Sequence, residues 1–251
     1  MLRIILSLSM AIFFLFPSAN AQKETKKIHK FWKKTYNQKK FDKLSAESYT
    51  VPALLDFSTQ EEFNLNGFSN EFKNFSDDVS KIKKIKKDFA INNVRGHVME
   101  LGRIKDAKGD VFVYLAAFRQ MENEHRIEVH FITKKSHNVT TDVETIDHLR
   151  TLWEEYSNTH QPSKLLDQTY FQDAVYFNSG IIYNGISEIK PKYKYMAKPT
   201  WKIKLHPKAV VPVSSTKIFE IGSYVSSGEG LYMLVWEKRD EVWKISFDFN
   251  F

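Results

Sequence analysis

Hydrophobic positions in this chain fall into blocks, and the spacing changes from block to block. Leu149, Leu152, Trp153 and Tyr156 follow the i, i+3, i+4, i+7 rhythm of an amphipathic helix, with Asp147 as a candidate cap. Pro162 interrupts it, and a second apolar stretch runs from Leu165-Leu166 to Tyr170-Phe171. Residues 174–178 read as a short strand, Ser179-Gly180 as a turn, and a second short strand reaches Tyr183. Residues 186–195 read as a helix disturbed by Pro191 and ended by Pro199. Beyond it the period is two. Trp201, Ile203 and Leu205 alternate with lysines, residues 218–225 follow, a turn at 226–230 leads into 231–236, and Asp240-Glu241 turns into Trp243, Ile245, Phe247 and Phe249.

The same pattern is written once before. Trp32, Leu44, Tyr49 and Ala53 recur as Trp153, Leu165, Tyr170 and Ala174, each 121 positions on. Glu100-Leu101-Gly102 recurs as Glu220-Ile221-Gly222, and Tyr114, Ile127 and Phe131 recur as Tyr232, Ile245 and Phe249. The first half opens with Ile28, Phe31, Trp32 and Phe41 and ends in strands at 94–104, 111–118 and 126–132. Small drifts in offset are what short loops of changing length produce between fixed elements. The expected division is a signal peptide at 1–21, a first domain at 22–133, a polar linker at 134–145 and a second domain at 146–251.

The expected leader has Arg3, an apolar stretch at 4–16 too short to span a bilayer, and Ala19-x-Ala21 as a cleavage site. The chain is therefore expected to be exported, to the periplasm or beyond, with no stable membrane insertion after cleavage. There is no cysteine, which excludes disulfides, thiol nucleophiles and Cys-bearing metal sites and leaves stability to the cores. The formal charge of +7 includes Arg3, so the chain from Gln22 carries +6. Lysines crowd 23–34 and 81–87. They are read as a solvated basic face, and export argues against nucleic acid as the partner.

Helix, short helix, short strands, helix and then long strands is an α+β arrangement. Trp153-x-x-Tyr156, Asp173-Ala174-Val175-Tyr176-Phe177, Tyr183-Asn184-Gly185-Ile186 and the terminal Val242-Trp243-Lys244-Ile245-Ser246-Phe247 resemble the NTF2-like superfamily, in its SnoaL-like and DUF4440-like branches. The resemblance implies tandem cystatin-like cone folds, each with N-terminal helices packed on a curved antiparallel sheet that encloses a pocket. It also implies that such domains pair through the open face of the sheet, which two copies in one chain can do internally, as a pseudo-twofold monomer or, failing that, in a homodimer. The first half departs more from the pattern, with Pro52 before Ala53 and Arg126 at the last-strand Trp.

The isomerase branch places its general base five residues after the acidic residue of the first strand. Those positions here are Asn178 and Phe57, and neither an amide nor a phenyl ring accepts a proton. Strand parity puts Ala174, Tyr176 and Asn178 on one face. Tyr176, Asn178, Tyr183, His206 and Trp236 are the expected ligand-binding residues. His206 and Asp248 are the candidates for proton transfer if chemistry occurs, and Asp248 is expected opposite the face of Phe247 and Phe249. His97 and Glu100 lie at odd spacing on a strand, so they point apart and make no metal site. No metal and no cofactor is expected. The leading expectation is a non-catalytic exported protein that binds a small apolar ligand or a protein partner. The alternative is a SnoaL-like cyclase, dehydratase or hydrolase working from the second domain.

Overall fold

The computed structural model describes residues 19–57, 68–136, 139 and 142–251. The expected leader lies outside them up to residue 18.

The first half runs α1 (Ala19–Asn37), α2 (Phe41–Ser48), β1 (Tyr49–Asp56), α3 (Phe68–Asp78), β2 (Ile82–Asn92), β3 (Val98–Asp106), β4 (Val111–Gln120) and β5 (His125–Lys134). The second runs α4 (Val143–Asn158), α5 (Pro162–Thr169), β6 (Tyr170–Asn178), β7 (Ile181–Asn184), α6 (Gly185–Lys192), a 3-10 turn at Tyr193–Ala197, β8 (Lys204–Pro212), β9 (Lys217–Val225), β10 (Glu229–Arg239) and β11 (Val242–Asn250). The sheets are ordered β1-β5-β4-β3-β2 and β7-β6-β11-β10-β9-β8. This is the α+β class expected, with helices on a curved sheet in each half. The sheets are mixed, however, and not antiparallel throughout. β1 lies parallel to β5 and β6 parallel to β11, because each of these first strands enters from a helix rather than a hairpin.

The halves repeat in detail. Register shifts fall between Ala117 and Phe118 and again between Val235 and Trp236, and between Lys87 and Phe89 and again between Pro207 and Ala209. Such bulges bend the strands they interrupt. Asn37 donates to the Ile82 carbonyl at 2.9 Å and accepts its N–H at 2.8 Å; Asn158 makes the same two bonds with Ile203 at the same lengths.

Each sheet buries both faces. One face packs on its own helices, around Trp32, Phe72 and Phe118 in the first half and Trp153, Tyr193 and Trp236 in the second. The other faces meet in a shared core that includes Leu115, Val129 and Phe131 from one sheet and Phe219, Met233 and Phe247 from the other. Phe131 sits 4.7 Å from Phe247 and 6.2 Å from Phe219, centroid to centroid. The result is four layers: helices, sheet, sheet, helices. His97 sits against the chain end, stacked 4.4 Å from Phe251.

Three boundaries differ from the sequence reading. β2 carries Lys83, Lys84, Lys86 and Lys87, and Val94 lies in the turn that follows it. The helix α4 begins at Val143, inside the expected linker; Asp142 rather than Asp147 precedes its first turn, and the Asp142 carboxylate accepts from the Trp243 indole instead of capping the helix. Trp201 to Ile203 precede β8 rather than opening it, because the Ile203 backbone bonds to Asn158 and not to a neighbouring strand.

Candidate functional site

Between the helices and sheet of the second half lies a cavity of about 270 Å³. Its walls are mostly aromatic and aliphatic and include Trp153, Tyr193, Trp201 and Trp236, with Asp248 and Arg150 as the charged residues. Exposed Tyr195 and Ser227, also in the lining, place its mouth between the 3-10 turn and the β9–β10 hairpin.

One wall is built around Glu220, fully buried on β9. Arg150 of α4 grips it with Nε at 2.6 Å and Nη2 at 3.0 Å. The Tyr232 hydroxyl donates at 2.7 Å and the Trp236 indole at 2.9 Å. Tyr232 can lie there only because Gly222 faces it: a Cβ on Gly222 would come within 2.3 Å of the ring. Arg150 Nη1 goes to Asp147 at 2.6 Å. Burial alone would lower the guanidinium's pKa, but these two carboxylates raise it further. A buried charge is tolerated when it is this fully paired.

The opposite wall carries Asp248, 4 % exposed on β11. Tyr170 donates to its Oδ2 at 2.7 Å and Tyr193 to the same oxygen at 2.5 Å; Trp153 in turn donates to the Tyr170 hydroxyl at 3.1 Å. Oδ1 takes no hydrogen bond among the described residues. Burial pushes the Asp248 carboxyl up from 3.8 to about 6, against the two tyrosines, which pull it down.

That displacement predicts a stability profile. A carboxyl whose folded pKa is raised favours the fold fully below its unfolded value and loses that contribution as pH rises through the folded value. The loss therefore falls between pH 3.8 and about 6. Asp248→Asn, which keeps the shape without the ionisation, is expected to gain on the wild type across that window by an amount on the order of 3 kcal/mol. Urea midpoints of both proteins from pH 4 to 7 measure it, and two parallel profiles would refute it.

The first half has the same frame with different contents. His29 stands at the Arg150 position and bonds Glu100 at 2.7 Å, beside Tyr114 at 3.3 Å. Trp32 donates to Tyr49 at 2.8 Å, and the Tyr49 hydroxyl meets Nδ1 of His130, the counterpart of Asp248, at 2.8 Å. Burial drives His130 down to about 3. Phe57, Phe72, Phe75 and Tyr36 occupy this interior, with ring pairs 5.2 to 5.6 Å apart, and Phe112 lies 5.7 Å from Phe75. Tyr36 and Phe112 correspond to Ser157 and Gly230 in the second half, where Trp201 and Met196 close on Ser157 and the Tyr224 ring lies against Gly230.

The sequence candidates scatter around the cavity. Trp236 and Asp248 line it. Asp248 does lie opposite Phe247 and Phe249, which belong to the shared core. Tyr176 stands behind the wall, stacked 5.7 Å from Tyr183, and its hydroxyl accepts from Asn250 at 3.1 Å. Asn178 bonds the Asn250 side chain, and it is Asn250 that reaches the cavity. Tyr183 packs on Tyr176 and under Lys192 rather than on the cavity. His206 is off the site: Leu205 lines it, and alternation along β8 turns the next residue away. Arg150, Glu220, Tyr170 and Tyr193 went unassigned. For Glu220 and Tyr170 the signal was present, since both recur from the first half. Among the described residues no group of three or more His, Asp or Glu could hold a metal, and no helix is long and apolar enough to cross a membrane.

No protein-family model and no curated protein matches the sequence. Solved structures do. An NTF2-like protein of unknown function from Shewanella oneidensis is 19 % identical, with 44 % of this chain and 98 % of that one covered at a TM-score of 0.41. A hexachlorocyclohexane dehydrochlorinase from Novosphingobium barchaimii is 20 % identical over 43 % of this chain and 84 % of its own, at a TM-score of 0.37. A putative scytalone dehydratase from Novosphingobium aromaticivorans is 13 % identical over 43 % and 82 %, at 0.38. Each spans less than half of this chain.

Proposed function

We propose that this chain is an exported tandem NTF2-like protein whose second half binds a small, ring-bearing, largely apolar molecule without transforming it. The observation that carries this reading is a 270 Å³ cavity in the second half, walled largely by aromatic rings, with the buried carboxyl of Asp248 in its lining. Aromatic walls with a few convergent polar groups are the usual make-up of a small-molecule site. The cavity favours a small molecule over a protein partner. The first half then serves as scaffold, and because its sheet occupies the open face of the second, the chain is proposed to be a monomer. Export rests on the leader pattern of residues 1–21.

The test fills the cavity. Leu205 lines it from the edge strand β8. Leu205→Trp is expected to occupy the cavity, keep the fold, and abolish the binding of whatever small ring compounds shift the wild-type melt. Unchanged binding by the filled protein would overturn the reading.

A second reading keeps one observation in its favour. Asp248, with Oδ1 unbonded beside the cavity and a pKa near 6, is placed as a lone proton acceptor suited to a cyclase or dehydratase step. His206 has no part in it. Turnover that disappears in Asp248→Asn while binding persists would favour this reading over simple binding.

A further inference from the structure

We propose that the cavity of the second half selects an organic ammonium: a molecule with an apolar ring body and a positively charged amine that seats against Asp248. The proposal rests on the binding role given to this cavity above and names the class of its ligand.

The charge balance of the site points there. Of the two charged residues in the lining, Arg150 is committed. Its Nε and Nη2 hold Glu220 and its Nη1 holds Asp147. Its positive charge is answered, with Glu220 drawing two further donors from Tyr232 and Trp236. Asp248 has no such answer. It is buried, its two hydrogen bonds are both neutral hydroxyls to Oδ2, and Oδ1 takes none among the described residues. A buried carboxylate without a counter-charge is costly, and a ligand cation removes that cost as it binds. A hydroxyl would bond Oδ1 but leave the charge standing, and a carboxylate would be repelled.

The surroundings fit the same class. Burial and then the charge of Asp248 hold up the pKa of Tyr170, Tyr176, Tyr193 and Tyr195, and Tyr224 as well, so five phenol rings stand within its field. At the mouth Tyr195 and Trp201 meet edge to face, 4.7 Å apart. Aromatic faces around an acid attract ammonium groups through the ring quadrupole as well as the charge.

Three indoles of nearly equal size make the test: tryptamine, its neutral alcohol tryptophol, and indole-3-propionate, titrated calorimetrically into the full chain at pH 7.5. Tryptamine is expected to bind at least about tenfold more tightly than tryptophol, with the carboxylate weakest. In Asp248→Asn the preference is expected to vanish, and in Leu205→Trp all binding is expected to vanish. Equal affinity for amine and alcohol, or a preference that survives Asp248→Asn, overturns the ammonium assignment while leaving the cavity a binding site. Silence from all three overturns both. If Asp248→Asn does not fold, a pH series on the wild type decides. The amine's affinity should fall between pH 7.5 and 5 while the alcohol's stays level, and matching profiles overturn the proposal.

Discussion

Phe131→Ala is expected to destabilise the whole chain by about 3–5 kcal/mol, the range for emptying a fully buried phenyl site. The ring is wholly buried where the two sheets meet, against Phe247 and Phe219. Neither sheet can collapse into the space without moving the other, so relaxation offers little relief. Because the site belongs to both halves, the loss should also weaken their cooperation and split a single denaturation transition into two. Val242→Ala, at a site 51 % exposed, is the control and should lie within about 0.5 kcal/mol of wild type. A Phe131→Ala protein as stable as the control would mean that the sheets do not share a core in solution.

The second large effect is expected from Arg150→Met. Methionine retains much of the side-chain volume but removes both bonds to Glu220, leaving a buried carboxylate with only Tyr232 and Trp236. Breaking one side of a buried pair costs about 3–5 kcal/mol, mostly the penalty of the stranded charge. Adding Glu220→Gln should recover a large part of it, since the amide needs no counter-ion. Urea denaturation of the two single variants and the double closes the cycle. Additive losses would show that the two side chains are not coupled.

How much of this was legible beforehand depended on whether local period or tertiary register decided the matter. The α+β class, the doubling and the main strands followed from Trp32 and Trp153, Tyr49 and Tyr170, and the alternation toward Phe249. β2 did not, because two register shifts, after Ile82 and after Lys87, break its alternation, and its lysines read as a charge run. On an edge strand those lysines also keep other strands from adding to the sheet. Asp147 was misread as a cap because its partner Arg150, three residues on, does not betray in sequence that it turns inward to Glu220. His206 was misplaced for the plainest reason: one residue along a strand is the other face. Asp248 was placed on the right face by parity. That this face borders a cavity depends on how Tyr193, Tyr195 and Trp201, from the segment before β8, stand off the sheet, and no local period reports that.

The exchange of His130 for Asp248 at one position of that frame gives the two halves opposite answers to acid. A neutral buried histidine, held at about 3 against an ordinary 6.5, supports its half above neutrality and withdraws that support as protons arrive. The buried aspartate, held at about 6 against 3.8, supports its half more strongly as protons arrive. Between pH 6 and 4 His130 loosens its half while Asp248 tightens the other. One position of a repeated frame thus works as a lever: acid moves its support from the first half to the second.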